Sequence, residues 1–236
     1  MQPKDRLIVA LDVDTLARAM ELMDILSPEV NIFKIGIAPF TDFGQILLDD
    51  AASRGKKIFL DLKFHDIPNT VRNAARAAAR KGVFMMNFHC LGGSRMMAAA
   101  LAGAEEGSGR GEKRPILLGV TILTSMQEND MVEIGIGGSV HDKVLRLAGL
   151  AERAGLDGVV ASAKEARAIK RKIRNDFIVV TPGVRPSGSE AGDQKRVLTP
   201  AEAVSEGADY VVVGRPIIEA KDPAAAARKI IGEMKG

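Results

Sequence analysis

The chain has 236 residues, 46% hydrophobic and 27% charged, enough to bury a large core as one big domain or two small ones. A net charge of only +3 and 4% aromatic content argue against nucleic acid as the default partner, because little is left to stack on bases. The single cysteine, Cys90, excludes an internal disulfide, and the longest apolar run, Met96 to Ala102, is too short to span a bilayer.

The apolar stretch behind Met1-Gln2-Pro3-Lys4-Asp5-Arg6 is too brief for a secretory signal, so a soluble cytoplasmic protein is expected. Leu7 to Leu11 is a continuous apolar run ending at Asp12, as a strand buried on both faces requires. Asp14-Thr15 then caps a helix predicted over Leu16 to Leu26, whose apolar residues Leu16, Ala19, Met20, Leu22, Met23 and Leu26 recur at helical spacing before Pro28. Val30 to Ile35 reads as a second strand with Lys34 near its end, followed by a helix to about Ser53 and a stop at Gly55. Ile58 to Leu60 opens a third strand. Alternation with period two points Asp61 and Lys63 to the same side, with Asp66 beyond the strand end.

Val71 to Lys81 is an alanine-rich helix with Arg72, Arg76 and Arg80 on one face. Val83 to Phe88 is the fourth strand, Met96 to Glu106 a helix, residues 107–114 a polar loop, and Pro115 to Leu123 the fifth strand with its trailing turn. A helix over Val140 to Ala154, a strand over Asp157 to Ala161, a helix over Ala163 to Ile173 and a strand over Phe177 to Val180 follow. The polar loop of about residues 183–196 looks like a flexible lid. Pro200 to Glu206 is a helix, Tyr210 to Val213 the eighth strand, and a last helix starts near Pro223.

Eight short buried strands each precede helical sequence, and no break in composition marks a linker. Right-handed crossovers allow an open sheet or a closed barrel, and the count of eight in this length predicts a single (β/α)8 TIM barrel over residues 1–236. In that fold the site lies at the C-terminal ends of the strands, where Asp12, Lys34, Asp61, Lys63, Thr124, Arg185 and Arg215 all fall. An isolated Asp-x-Lys triplet is most simply a rim ion pair, but Asp12 and Lys34 are expected at the same rim. Alternating acid and base in a partly desolvated mouth makes Lys63 a proton donor with fixed aim.

Gly214-Arg215, after the eighth strand, stands in the usual phosphate position of such barrels. The preceding loop adds Arg185 from Pro182 to Pro186 and the amide of Gln194 from Gly192-Asp193-Gln194. No histidine spacing suits a metal, Lys34 argues against a cation, and no glycine stretch completes a dinucleotide fingerprint, so neither metal nor cofactor is expected.

The decapeptide Asp61-Leu62-Lys63-Phe64-His65-Asp66-Ile67-Pro68-Asn69-Thr70 resembles the signature of the orotidine 5′-monophosphate decarboxylase family. So do Leu11-Asp12, Phe33-Lys34-Ile35-Gly36, Thr181-Pro182-Gly183-Val184-Arg185-Pro186, Gly192-Asp193-Gln194-Lys195-Arg196 and Val213-Gly214-Arg215-Pro216, so the likeness runs nearly end to end. The resemblance implies a cofactor-free decarboxylation of orotidine 5′-monophosphate to uridine 5′-monophosphate and carbon dioxide in pyrimidine synthesis. It also implies a homodimer with both sites at the interface. By the same likeness Lys63 protonates the ring carbon that loses carbon dioxide, Asp61 sits against the departing carboxylate, and Lys34 orders the charges and touches the ribose. Asp66 and Thr70 would reach the partner's site, Asp12 would bind a ribose hydroxyl and Thr124 would read the pyrimidine. Pro182, Arg185, Gln194, Gly214 and Arg215 would hold the phosphate. Two other readings stay open at this point. The related 3-keto-L-gulonate 6-phosphate decarboxylases use magnesium and carry a glutamate where this chain has Lys34, whose ammonium would repel the ion. A phosphate-binding barrel that senses a nucleotide without transforming it would leave the charges as rim decoration.

Overall fold

The computed structural model describes residues 1–186 and 198–235. Eight parallel strands pair in chain order: β1 (Leu7–Ala10), β2 (Ile32–Gly36), β3 (Lys57–Phe64), β4 (Met85–His89), β5 (Ile116–Val120), β6 (Gly158–Val160), β7 (Ile178–Thr181) and β8 (Tyr210–Val213). The ring closes where β1 pairs with β8, Leu7 opposite Val211 and Val9 opposite Val213. The expected (β/α)8 barrel is therefore the fold.

Helices α1 (Leu16–Leu26), α2 (Ile37–Ser53), α3 (Pro68–Arg80), α4 (Gly93–Gly107), α5 (Glu128–Glu133), α6 (Val140–Arg153), α7 (Ala163–Lys172), α8 (Pro200–Ser205), α9 (Arg215–Ile218) and α10 (Pro223–Glu233) occupy the connections. α1 shows why they form: the Thr15 side chain accepts a hydrogen bond from the Arg18 N–H, and Ala19, Leu22, Met23 and Leu26 are buried as one stripe. α3 begins at Pro68, three residues before the expected start, because proline suits a first turn whose N–H has no helical partner. The short α5 and α9 fall on stretches where no helix was expected from the sequence. At α5, the Asp130 carboxylate accepts from the Gln127 N–H, a local bond that stabilises a single turn or two.

The strands are apolar on both faces because each face meets a different core. Outward residues such as Leu7, Val9, Phe33, Leu60, Met86 and Val211 join the helices in one large cluster. Inward residues Ile8, Ala10, Ile32, Phe59, Met85, Leu118, Val180, Tyr210 and Val212 fill the barrel interior. α3 and α4 approach closely because Gly103 and Gly107 have no side chain; a Cβ at Gly103 would collide with the Arg72 carbonyl. Across that seam Arg72 and Arg76 both pair with Glu106, so this part of the arginine face is committed to α4.

Candidate active site

Followed upward, the inner face of the barrel turns from apolar to charged. Two residues beyond Ile8, Ile32, Phe59 and Met85 stand Ala10, Lys34, Asp61 and Asn87, and two further on stand Asp12, Gly36, Lys63 and His89. Period-two alternation thus raises a polar mouth on an apolar floor.

At that mouth four charges alternate in a chain. Asp12 Oδ1 lies 3.2 Å from Lys34 Nζ, which lies 3.2 Å from Asp61 Oδ2, and Asp61 Oδ1 is 2.7 Å from Lys63 Nζ. Lys34 and Asp61 are buried, whereas Asp12 and Lys63 face the opening more. Burial pushes the Asp61 carboxyl up. The charges of Lys34 and Lys63, with hydrogen bonds from Lys63 and Asn87, outweigh it and hold the group below the usual carboxylate range. Gly36 leaves the room this requires, since a Cβ there would stand 3.1 Å from both Asp12 Oδ1 and Lys34 Nζ.

Lys63 shares the inner face with Asp61, but the backbone that carries it there is not a regular strand. The β3–β4 register shifts between Leu60 and Phe64, and Lys63 has φ of +50°, the one non-glycine residue with positive φ among those described. Left-handed backbone costs an L-residue about 1–2 kcal/mol, so the surroundings must hold it. Asn87, fully buried on β4, does so at two points. Its Oδ1 accepts from the Lys63 N–H at 2.8 Å, and its Nδ2 donates to Asp61 Oδ1 at 2.6 Å. The sequence reading passed over Asn87 within the run Val83 to Phe88. Its signal was a lone amide within an otherwise apolar strand run.

Beside the charged chain lies a cavity of about 330 Å³ at the ends of β1, β2, β7 and β8, lined by Asp12, Lys34, Pro182, Arg185, Gly214 and Arg215 among others. Arg185 is buried, and its guanidinium is pushed below its usual range by burial first and by the Arg215 charge, against the pull of Glu219. Two cations that disfavour each other in one cavity are relieved by an anion between them. Thr124 sits half-buried in the turn after β5. Gln194 and most of the expected lid lie outside the described residues.

Asp66 and Thr70 are exposed. The Asp66 carboxylate accepts from the N–H of Ile67 at 2.6 Å and makes no ion pair among the described residues, so the structure does not bring it to Lys63 within one chain. His65 and His89, distant in sequence, come together with ring centroids 5.5 Å apart. Burial, then His65 and Lys63, press the His89 imidazole below its ordinary value, with Asp61 opposing.

Comparison with known proteins agrees across the whole chain. Residues 5–230 match the model of the orotidine 5′-phosphate decarboxylase / HUMPS family. The orotidine 5′-phosphate decarboxylase of Moorella thermoacetica is 51% identical over 100% of this chain and 94% of its own length. That of Vibrio cholerae is also 51% identical, over 92% of this chain and 93% of its own. The crystal structure of the Lactobacillus acidophilus orotidine 5′-phosphate decarboxylase superposes with a TM-score of 0.87 at 38% identity, covering 98% of this chain and 100% of that one. On its family match and its full-length relatives, the chain belongs to the orotidine 5′-phosphate decarboxylase / HUMPS family.

Proposed function

We propose that this protein is an orotidine 5′-monophosphate decarboxylase of pyrimidine biosynthesis, working without metal or organic cofactor, with Lys63 as the proton donor. The observation that carries the reading is the chain Asp12–Lys34–Asp61–Lys63 standing beside an arginine-lined cavity. The 5′-phosphate lies between Arg185 and Arg215, next to Gly214 and Pro182, with Gln194 as a further phosphate contact. The ribose meets Asp12 and Lys34, and the pyrimidine extends towards Thr124. Its carboxylate faces Asp61.

In the reaction the bond between ring carbon and carboxylate breaks, carbon dioxide leaves, and the electron pair remains on the ring carbon. The Lys63 ammonium gives that carbon a proton, and the resulting amine regains one from water. With no cofactor to take up the electron pair, a cation fixed beside the carbon in a partly dry mouth supplies the main stabilisation. Phosphate binding energy helps order the charges around the reacting ring, so losing a phosphate contact lowers turnover as well as affinity. Lys34 supports a metal-free route. Its ammonium lies between the Asp12 and Asp61 carboxylates, where a divalent ion would need to sit.

The reading includes a homodimer in which Asp66 and Thr70 complete the partner's site. Its support is the exposure of Asp66, together with exposed Ile37, Ile67, Leu91, Val132 and Ile134, all on segments that follow β2 to β5. No helix among the described residues is long and apolar enough to cross a membrane. We place the enzyme in the cytoplasm with the substrate nucleotide as its small-molecule partner. The test is purified protein with orotidine 5′-monophosphate in excess chelator. Conversion to uridine 5′-monophosphate is expected; bound but intact substrate contradicts the assignment, and activity that needs added magnesium contradicts the cofactor-free route.

A further inference from the structure

We infer that Asn87 is a positioning residue for the decarboxylation: its buried amide locks the Lys63 backbone in its left-handed turn and fixes the Asp61 carboxylate, so that ammonium and carboxylate present one geometry to the reacting carbon. The inference rests on the decarboxylase reading and assigns a role to a residue that makes no contact with the reacting atoms.

Three observations carry it. Where the β3–β4 register shifts between Leu60 and Phe64, the Lys63 N–H leaves the regular ladder, and the Asn87 Oδ1 takes it at 2.8 Å. A buried N–H without a partner is unfavourable, so this bond is what permits the irregular turn. The other end of the same amide donates to Asp61 Oδ1 at 2.6 Å, the oxygen that also receives Lys63 Nζ at 2.7 Å. The amide has one workable orientation: turned over, its carbonyl would face a carboxylate and its NH2 an N–H. Finally, Asn87 is fully buried among apolar neighbours on β4, where an amide is costly unless both ends are satisfied.

Lys63 leans on this support because φ of +50° is unfavourable for a lysine left to itself. Without the clamp its backbone relaxes towards an ordinary strand, and the ammonium moves off its line to the ring carbon. The groups facing Asp61 are Lys34 from β2, Lys63 from its own strand, and Asn87 and His89 from β4, with Asp12, just after β1, beyond Lys34. Asn87 is uncharged, so its removal loosens Asp61 without changing the net charge of the mouth.

The test uses Asn87→Leu, which keeps the branched shape and removes both bonds, and Asn87→Ser, a smaller polar variant on which the outcome is judged if the first does not fold. We expect kcat to fall about 100-fold, the cost of an ångström-scale misplacement, while KM and the affinity for uridine 5′-monophosphate change less than about threefold. The acid limb of the kcat profile should move to higher pH, because Asp61 loses a hydrogen bond that favours its charged form. A folded variant with kcat near wild type overturns the inference. So does a loss shared equally between kcat and product binding with the acid limb unmoved, which is the pattern of a merely structural residue. Wild-type protein that leaves orotidine 5′-monophosphate intact overturns the decarboxylase reading and this inference with it; an active wild type with tolerant Asn87 variants overturns this inference alone.

Discussion

Burial alone would raise the Asp61 carboxyl, and the two lysines and Asn87 reverse the sign, so the residue links charge to stability. Its folded-state pKa lies below its unfolded value. The associated stability is therefore fully present above the unfolded value of about 3.9 and is lost as pH falls through the folded one. Thermal melts should show a loss on acidification in this window that is smaller in Asp61→Asn, which has no proton to gain; equal acid losses would contradict the linkage. Cys90 gives a second residue-scale expectation. Burial pushes its thiol up to about 12, so a thiol reagent at pH 8 should leave the folded protein unmodified and label one cysteine after denaturation. At this scale the sequence displayed Asp61 and Lys63 as a pair, but for too simple a reason. Regular alternation would have sufficed, whereas the chain uses a register shift and a left-handed lysine, which no residue type announces. Asn87 escaped because its importance lies in two partners on another strand.

The elements that position the mouth were legible wherever local punctuation was strong. α1, capped by Thr15 and bounded at Ser27, and β8, a run of four apolar residues, have the bounds expected of them. The start of β4 moved by two residues and that of α3 by three, since pairing partners and a proline first turn decide them. Close packing of α3 on α4 was invisible, because a helical glycine reads as a weak helix former until a neighbouring carbonyl is seen against it. Gly103→Ala is expected to lower stability by about 1–3 kcal/mol through overpacking against Arg72, measured by chemical denaturation; an unchanged midpoint would show that the seam can yield. The β8–α9 turn is an element-scale test of the phosphate reading. Arg215→Ala should weaken transition-state binding by about 2 kcal/mol in kcat/KM, and an unchanged ratio would refute the contact.

Across the whole molecule, the barrel was readable because eight strand-then-helix units repeat within one uninterrupted composition, and the closed ring follows from their number. Contacts that depend on another copy leave no such pattern. Asp66 and Thr70 are exposed, and their service to a neighbour is a property of the proposed dimer. Mixing inactive Lys63→Ala with inactive Asp66→Ala should therefore regain up to about a quarter of wild-type activity, because half of the random dimers hold one intact site; no recovery would place each site within a single chain. The most direct measurement of the central claim is carbon dioxide release from orotidine 5′-monophosphate by Lys63→Ala beside wild type, in chelator, with the affinity for uridine 5′-monophosphate measured on the same samples. Release should fall by at least about a thousandfold while that affinity stays within about threefold. Near-normal release from the lysine-free mouth would contradict the account.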